Sequence, residues 1–117
     1  MTETPLSRRR CKDLPKGTPA LADAAARALL AELHPDWRID GAVLTRRFAL
    51  KGFAPAVMLA NAAAFLAERE NHHPDIGFGW GWCAVSFTTH SVGGLSENDF
   101  ICAAKLDELV AGGGAGQ

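Results

Sequence analysis

From Leu21 onward, apolar residues return at every fourth position (Leu21, Ala25, Leu29, Leu33) within an Ala-rich stretch. That is the period of one inward-facing helical face. Thr18-Pro19 supplies a hydroxyl cap and a proline at the first helical position, so the helix is expected to start there. His34-Pro35 ends it, because the residue before proline is pushed out of the α region. Two short strands follow, Trp37 to Ile39 and Ala42 to Leu50, around Asp40-Gly41, a favoured pair for a tight hairpin. In the second strand Leu44, Phe48 and Leu50 share one face and Arg47 and Lys51 the other, with Arg46 breaking the apolar side.

Pro55 suits the first turn of a further helix running to about Asn71, with Met58, Ala62, Phe65 and Leu66 as its expected inner stripe. Pro74 forbids continuation and leaves His72 and His73 at the helix C-terminus. From Phe78 to His90 the period is two: Cys83, Val85 and Phe87 point to the core, and Ala84, Ser86, Thr88 and His90 point away. Gly77, Gly79 and Gly81 divide this segment into two short strands. Ser96 with Asp99 three residues on forms a capping box for a last helix, whose inner face is Phe100, Ala103, Ala104 and Leu106.

The order is α-β-β-α-β-β-α. Hairpins separated by helices imply an α+β, two-layer fold: an antiparallel four-stranded sheet covered on one face by three helices. Nothing obvious covers the other sheet face, which is left for a site, an oligomer contact, or both. Residues 1–17 read as a flexible N-terminal arm, 18–111 as the domain and 112–117 as a flexible Gly-rich tail that also stops the last helix.

Composition narrows the function classes. The 117 residues are enough for one domain, with 48% apolar and 21% charged residues and a net charge of −1. Nothing global steers such a chain to nucleic acid or anionic membrane, and Arg8-Arg9-Arg10 with Lys12 reads as a solvated arm. No secretory h-region and no membrane-length apolar run are expected. Cys11, Cys83 and Cys102 lack metal-type spacing and read as reduced thiols of a cytoplasmic protein.

The chemistry concentrates in Asn71-His72-His73-Pro74 and Thr88-Thr89-His90, which hold three of the chain's four histidines. Neutral imidazole both gives and takes a proton near pH 7, so convergence of these rings would suit proton transfer on a small molecule. The plainer reading of each is structural: a histidine pair bonding the last carbonyls of a helix, an exposed strand-end histidine, a capping aspartate. A zinc site built from His72, His73, Asp75 and His90 is a rival. Adjacent histidines rarely aim both rings at one ion, and no HxH or HxxxH spacing occurs. No GxSxG elbow and no GxGxxG between strand and helix are present, which removes nucleophile-elbow and dinucleotide readings.

The combination Glu68-x3-His72-His73-Pro74, Trp80-x9-His90 and eight residues to Asp99 resembles the signature of the pterin-4a-carbinolamine dehydratases. Thr88-Thr89-His90 and Gly94-Leu95-Ser96-Glu97-Asn98-Asp99 resemble that family's second block, and the resemblance spans about residues 18 to 110. Ile76 stands where the family often has a large aromatic, and Trp80 where it often has Tyr; both are expected at the pocket wall. The resemblance implies dehydration of 4a-hydroxytetrahydrobiopterin to the quinonoid dihydropterin, recycling the cofactor of aromatic amino-acid hydroxylases, phenylalanine hydroxylase among them. It implies no metal and no redox cofactor.

On the same resemblance His72, His73 and His90 are the catalytic histidines, with His72 and His90 as the acid/base pair and His73 as positioner. Main-chain groups of Asn71 to His73 and of Thr88, Thr89, His90 and Ser91 would hold the pterin ring. Glu68, one helical turn before His72, would orient it, Asp99 would do so for His90, and Trp80 would support the pocket. A homodimer or homotetramer is expected. The competing implication is a non-catalytic binding module of the same fold, acting as a dimerisation or transcription cofactor or as an assembly factor; the intact histidines weigh against it.

Overall fold

The computed structural model describes residues 4–112. Three helices, α1 (Asp23–Leu30), α2 (Phe53–Glu70) and α3 (Glu97–Ala111), lie on one face of a sheet made of β1 (Arg38–Asp40), β2 (Val43–Ala49), β3 (Asp75–Gly79) and β4 (Trp82–Phe87). Every neighbouring pair is antiparallel, in the spatial order β1-β2-β4-β3. This is the expected two-layer α+β architecture.

The core follows from strand alternation. Cys83, Val85 and Phe87 of β4 are fully buried, and Leu44 and Phe48 pair opposite Phe87 and Cys83 in the neighbouring strand. Side chains two apart on a strand share a face, so these residues form one apolar surface under the helices. Arg46 lies on that same surface and is nonetheless buried. Its Nη1 donates to Asp107 Oδ1 of α3 at 2.8 Å, and its guanidinium stacks 4.1 Å above the Phe48 ring. Trp37 Nε1 donates to the same Asp107 oxygen at 2.7 Å. One carboxylate thus serves the Trp37 indole and one arm of the Arg46 guanidinium, whose buried Nε has no hydrogen-bond partner among the described residues.

Four expectations need correction. The first hairpin turns at Gly41-Ala42, with Asp40 still paired to Val43, because Gly41 takes the positive φ of 60°. Helix α1 starts at Asp23: the Thr18 hydroxyl donates to the Pro15 carbonyl, Leu21 N–H donates to the Leu95 carbonyl, and Ala22 is extended at φ −65° and ψ 153°. Of the stripe expected on α1, Leu33, just beyond the helix, is buried, Ala25 is exposed, and Ala26 takes its place in the core. On α2 the buried stripe is Ala56, Leu59, Ala60, Ala63, Leu66, Ala67 and Glu70, so Leu66 is inside but Met58 and Phe65 face outward. Small side chains bring a helix close to a sheet, and the bulky pair is displaced to the opposite side.

The fourth concerns the N-terminal segment, expected to be free. Leu6 is buried in a 3-10 turn, Leu6–Arg8, laid along α3. The Ser7 hydroxyl donates to Glu108, Arg9 pairs with Glu97, and Lys105 donates to the Ser7 carbonyl. A single buried leucine with flanking polar contacts fixes the segment. The tail beyond Gly112 lies outside the described residues, and Gly112 itself closes α3. The sheet's second face carries Thr45 and Ser86, whose hydroxyls meet at 2.8 Å across the strands, and Arg47 stacked 4.5 Å from the Trp82 ring. Among the described residues no helix is long and apolar enough to cross a membrane.

Candidate active site

Helix α2 stops at Glu70 because Asn71 takes the left-handed conformation, φ 52° and ψ 43°, which asparagine tolerates better than most residues. The chain turns there, and the His72 N–H closes the helix end by donating to the Ala67 carbonyl at 3.1 Å. His72 thereby leaves the helix face and points toward the N-terminus of α3, its ring stacked on Phe87 at 6.0 Å and 10°.

At that helix start the capping box is complete. The Ser96 hydroxyl accepts from Asn98 N–H, and Asp99 Oδ2 accepts from Ser96 N–H at 2.9 Å. The Thr89 hydroxyl donates to the same oxygen at 2.8 Å and also contacts the Ser96 hydroxyl at 2.7 Å. Only Oδ1 of this fully buried carboxylate remains, and His72 Nε2 lies 2.6 Å from it. A carboxylate already serving two donors accepts here as well, so Nε2 carries the proton. With Nε2 as the donor, the neutral form of the ring has Nδ1 as its proton acceptor. Burial, stacking and the charge-assisted bond together hold His72 in one orientation and one tautomer.

The remaining partners differ from those expected. Glu68 Oε1 meets His73 Nε2 at 2.7 Å, not His72, and Asp99 serves His72, not His90. The i,i+4 geometry that would join Glu68 to His72 requires a helix continuing past Glu70, and Asn71 interrupts it. His90 is exposed and opens a 3-10 turn, His90–Val92, after β4 has ended at Phe87. The site therefore does not lie on the open sheet face. It sits at the end of the sheet where β3 begins and β4 ends, between the C-terminus of α2 and the N-terminus of α3.

A cavity of about 270 Å³ lies beside His72, lined by Asn71, His72, Thr89 and Ser91 among the residues expected to bind ligand. His73, Thr88 and His90 are absent from its lining, although each is a chain neighbour of a residue that lines it. Thr88 is engaged structurally, its hydroxyl donating to the Ala42 carbonyl at 2.6 Å. Trp80 does not line the cavity. It is exposed in the β3–β4 turn, one residue past Gly79, which is itself four strand steps or about 13 Å from the Asp75–Ser86 pair where the histidines enter. Ile76 packs against the core and not the cavity. His72 and His73 reach different carboxylates, and among the described residues no group of three or more His, Cys, Asp or Glu side chains is arranged to hold a metal ion.

The other side of the cavity comes from residues not expected to bind ligand: Cys11 to Leu14 of the N-terminal segment, together with Glu70 and Asn98. Glu70 is buried at the end of the inner stripe of α2. Burial would raise its carboxyl pKa, but the Cys11 N–H at 2.9 Å and the charges of Lys105 and Arg10 outweigh it and hold the pKa below the usual range. The sequence signal for Glu70 was a charged residue in register with Ala56, Ala63 and Ala67. A buried acid at that register demands partners from outside the helix.

The chain has relatives among known proteins. The profile of the family described as Pterin 4 alpha carbinolamine dehydratase matches residues 19–109. A protein of Paracoccus denitrificans, provisionally named a pterin-4-alpha-carbinolamine dehydratase, is 49% identical over 106 residues, covering 89% of this chain and 95% of its own. A similarly named protein of Nitrosomonas europaea is 43% identical over 104 residues, covering 89% and 92%. Among solved structures, a transcriptional coactivator/pterin dehydratase from Brucella melitensis superposes with a TM-score of 0.71 at 29% identity, covering 77% of this chain and 97% of that one. A pterin dehydratase-like protein described as a RuBisCO assembly factor in the alpha-carboxysome gives 0.55 at 30% identity, covering 65% and 90%.

Proposed function

Since the chain belongs to the pterin-4a-carbinolamine dehydratase family, we propose that it is a working dehydratase that converts 4a-hydroxytetrahydrobiopterin to quinonoid dihydropterin and water. The observation that carries the proposal is the His72–Asp99 pair: a buried carboxylate fixes one imidazole at the edge of a cavity and leaves its other nitrogen available. The reaction needs a proton delivered to the departing C4a hydroxyl and a proton taken from N5, whose electrons then form the C4a–N5 double bond. Two groups with pKa values near the working pH are sufficient for this. His72, through Nδ1, and His90 are assigned as that acid/base pair, and His73, tied to Glu68, as the residue that positions substrate. The cavity volume stands just under the roughly 300–1,000 Å³ of usual small-molecule pockets, which favours a compact bicyclic head over a bulky ligand. Asn71, Thr89 and Ser91 would supply polar groups to the ring edge, while the C6 substituent would point outward.

The setting proposed is the cytoplasm, beside an aromatic amino-acid hydroxylase such as phenylalanine hydroxylase that releases the substrate. Self-association as a homodimer or homotetramer is proposed through the outer side of α2, where Met58 and Phe65 are exposed and the exposed Phe53 lies against Phe78. A second reading, a binding module for assembly or coactivation, draws on the two solved relatives described in those terms, and the same apolar face would serve it. The two readings part in one assay, in which 4a-hydroxytetrahydropterin is generated enzymatically and the quinonoid product followed with wild type and His72→Ala. Acceleration by wild type that the variant loses supports the dehydratase. No acceleration by folded wild type would sink it and leave the binding module.

A further inference from the structure

The cavity wall formed by Cys11 to Leu14 is clamped from α3. Lys12 N–H donates to Asn98 Oδ1 at 2.9 Å, and Asn98 Nδ2 donates back to the Lys12 carbonyl at 2.7 Å. With the Cys11 N–H held by Glu70, these bonds fix Cys11 so that its Sγ stands 3.5 Å from Cys102 Sγ, across 91 residues of chain. Cys102 is fully buried on α3, one helical turn after Asp99, whereas Cys11 is only half-buried. No cysteine is paired in a disulfide.

We propose that Cys11 and Cys102 form a reversible redox pair, closed by a peroxide-class oxidant, whose disulfide locks the N-terminal wall of the cavity onto α3. A disulfide needs its sulfurs at about 2.05 Å, so the thiols have about 1.5 Å to close, within reach of side-chain rotation. The exposures divide the roles. Peroxide reaches the half-buried Cys11 first, and its thiol becomes a sulfenic acid with release of one water. The Cys102 sulfur then attacks the Cys11 sulfur, the sulfenic hydroxyl leaves with the Cys102 proton as a second water, and the S–S bond remains. In sum, two thiols are oxidised and one peroxide is reduced to two waters. The hydrogen bond to Cys11 and burial push the Cys102 thiol pKa up, which disfavours its thiolate and leaves first contact with peroxide to Cys11; Cys102 gives up its proton only as it attacks the adjacent Cys11 sulfur. Cys83, buried on β4 with its pKa raised by burial, serves as an internal control.

The bond itself is independent of what the cavity binds. Only its effect on substrate entry rests on the dehydratase reading, so the test uses readouts that need no substrate. Full-length reduced protein is treated with hydrogen peroxide, and thiols are counted after denaturation. The expected fall is from three to one, with an intact mass lower by two hydrogens, a Cys11–Cys102 peptide on mapping, and full reversal by dithiothreitol. Backbone hydrogen exchange across Cys11 to Leu14 should slow in the oxidised form. Cys83→Ala should behave as wild type, and Cys11→Ser should keep both remaining thiols. Three surviving thiols, oxygen adducts on Cys11 without a link, or a link between two molecules would each overturn the pair. A link that leaves exchange of the wall unchanged would overturn the lock.

Discussion

His72 and His73 share a peptide bond, and each reaches a carboxylate at nearly the same distance, 2.6 and 2.7 Å. The side chains of the first pair are 11% and 0% exposed; those of the second, 56% and 77%. Distance alone would rate the two bonds as equals. In the exposed pair, water competes for every hydrogen bond and salt screens the charge, so geometry is held weakly. In the buried pair the carboxylate has no alternative to its three donors, and breaking one of them strands a charge. Adjacent residues of one type thus receive different work: His72 is fixed and oriented, and His73 is adjustable.

Substitutions can break or sharpen that contrast. The largest effect is expected from His72→Ala, which should lower turnover at saturating substrate by about 10²–10⁴-fold while the fold is kept; steady-state rates with a circular dichroism check would measure it. Asp99→Asn should follow, destabilising the protein by about 2–3 kcal/mol through loss of the charged acceptor that Ser96 N–H, the Thr89 hydroxyl and His72 share, and reducing turnover as the His72 tautomer is released. Urea titration and ring ¹⁵N shifts of His72 report the two effects separately. His73→Ala should cost less than about tenfold in turnover. A loss equal to that of His72→Ala would end the contrast and the assignment with it.

Glu70 adds a pH-dependent test. Its pKa is lowered in the folded protein, so its contribution is present above the ordinary value of 4.5 and lost as pH falls through the folded value. The stability gap between wild type and Glu70→Gln, followed by chemical unfolding, should therefore be widest near neutrality and narrow with acidification below 4.5. A gap that widened with acid would contradict the bonding of Glu70 to the N-terminal segment. The smallest effect belongs to Glu68→Gln, at about 0.5 kcal/mol or less in stability.

How much of this was legible in the sequence depends on whether a signal was local. The capping box, the alternation of Cys83, Val85 and Phe87, and the stop near Pro74 depend on near neighbours, and they appear where expected. The stripe of α2 was misread because Met58 and Phe65 are more hydrophobic than Ala56 and Ala63, while helix–sheet distance rewards the smaller set. That error also hid Glu70 and, through it, the docking of the N-terminal segment. The histidine partners were misplaced by a single residue, Asn71, whose left-handed turn moves His72 off the helix face. Trp80 entered the expected site because linear spacing carries no information about which end of a hairpin a residue occupies.

Asp99 answers to two masters, starting α3 and holding His72. If the proposed dehydratase activity were lost in a descendant, its helix would still need to begin, so the aspartate would be kept, and so would Ser96. Finding that acid in a distant relative therefore says little about whether it turns over a pterin. The imidazole across from it starts no helix, so on the proposed dehydratase reading its replacement by a non-titrating donor to Asp99 would be the visible mark of a lineage that had retired the reaction and kept the scaffold.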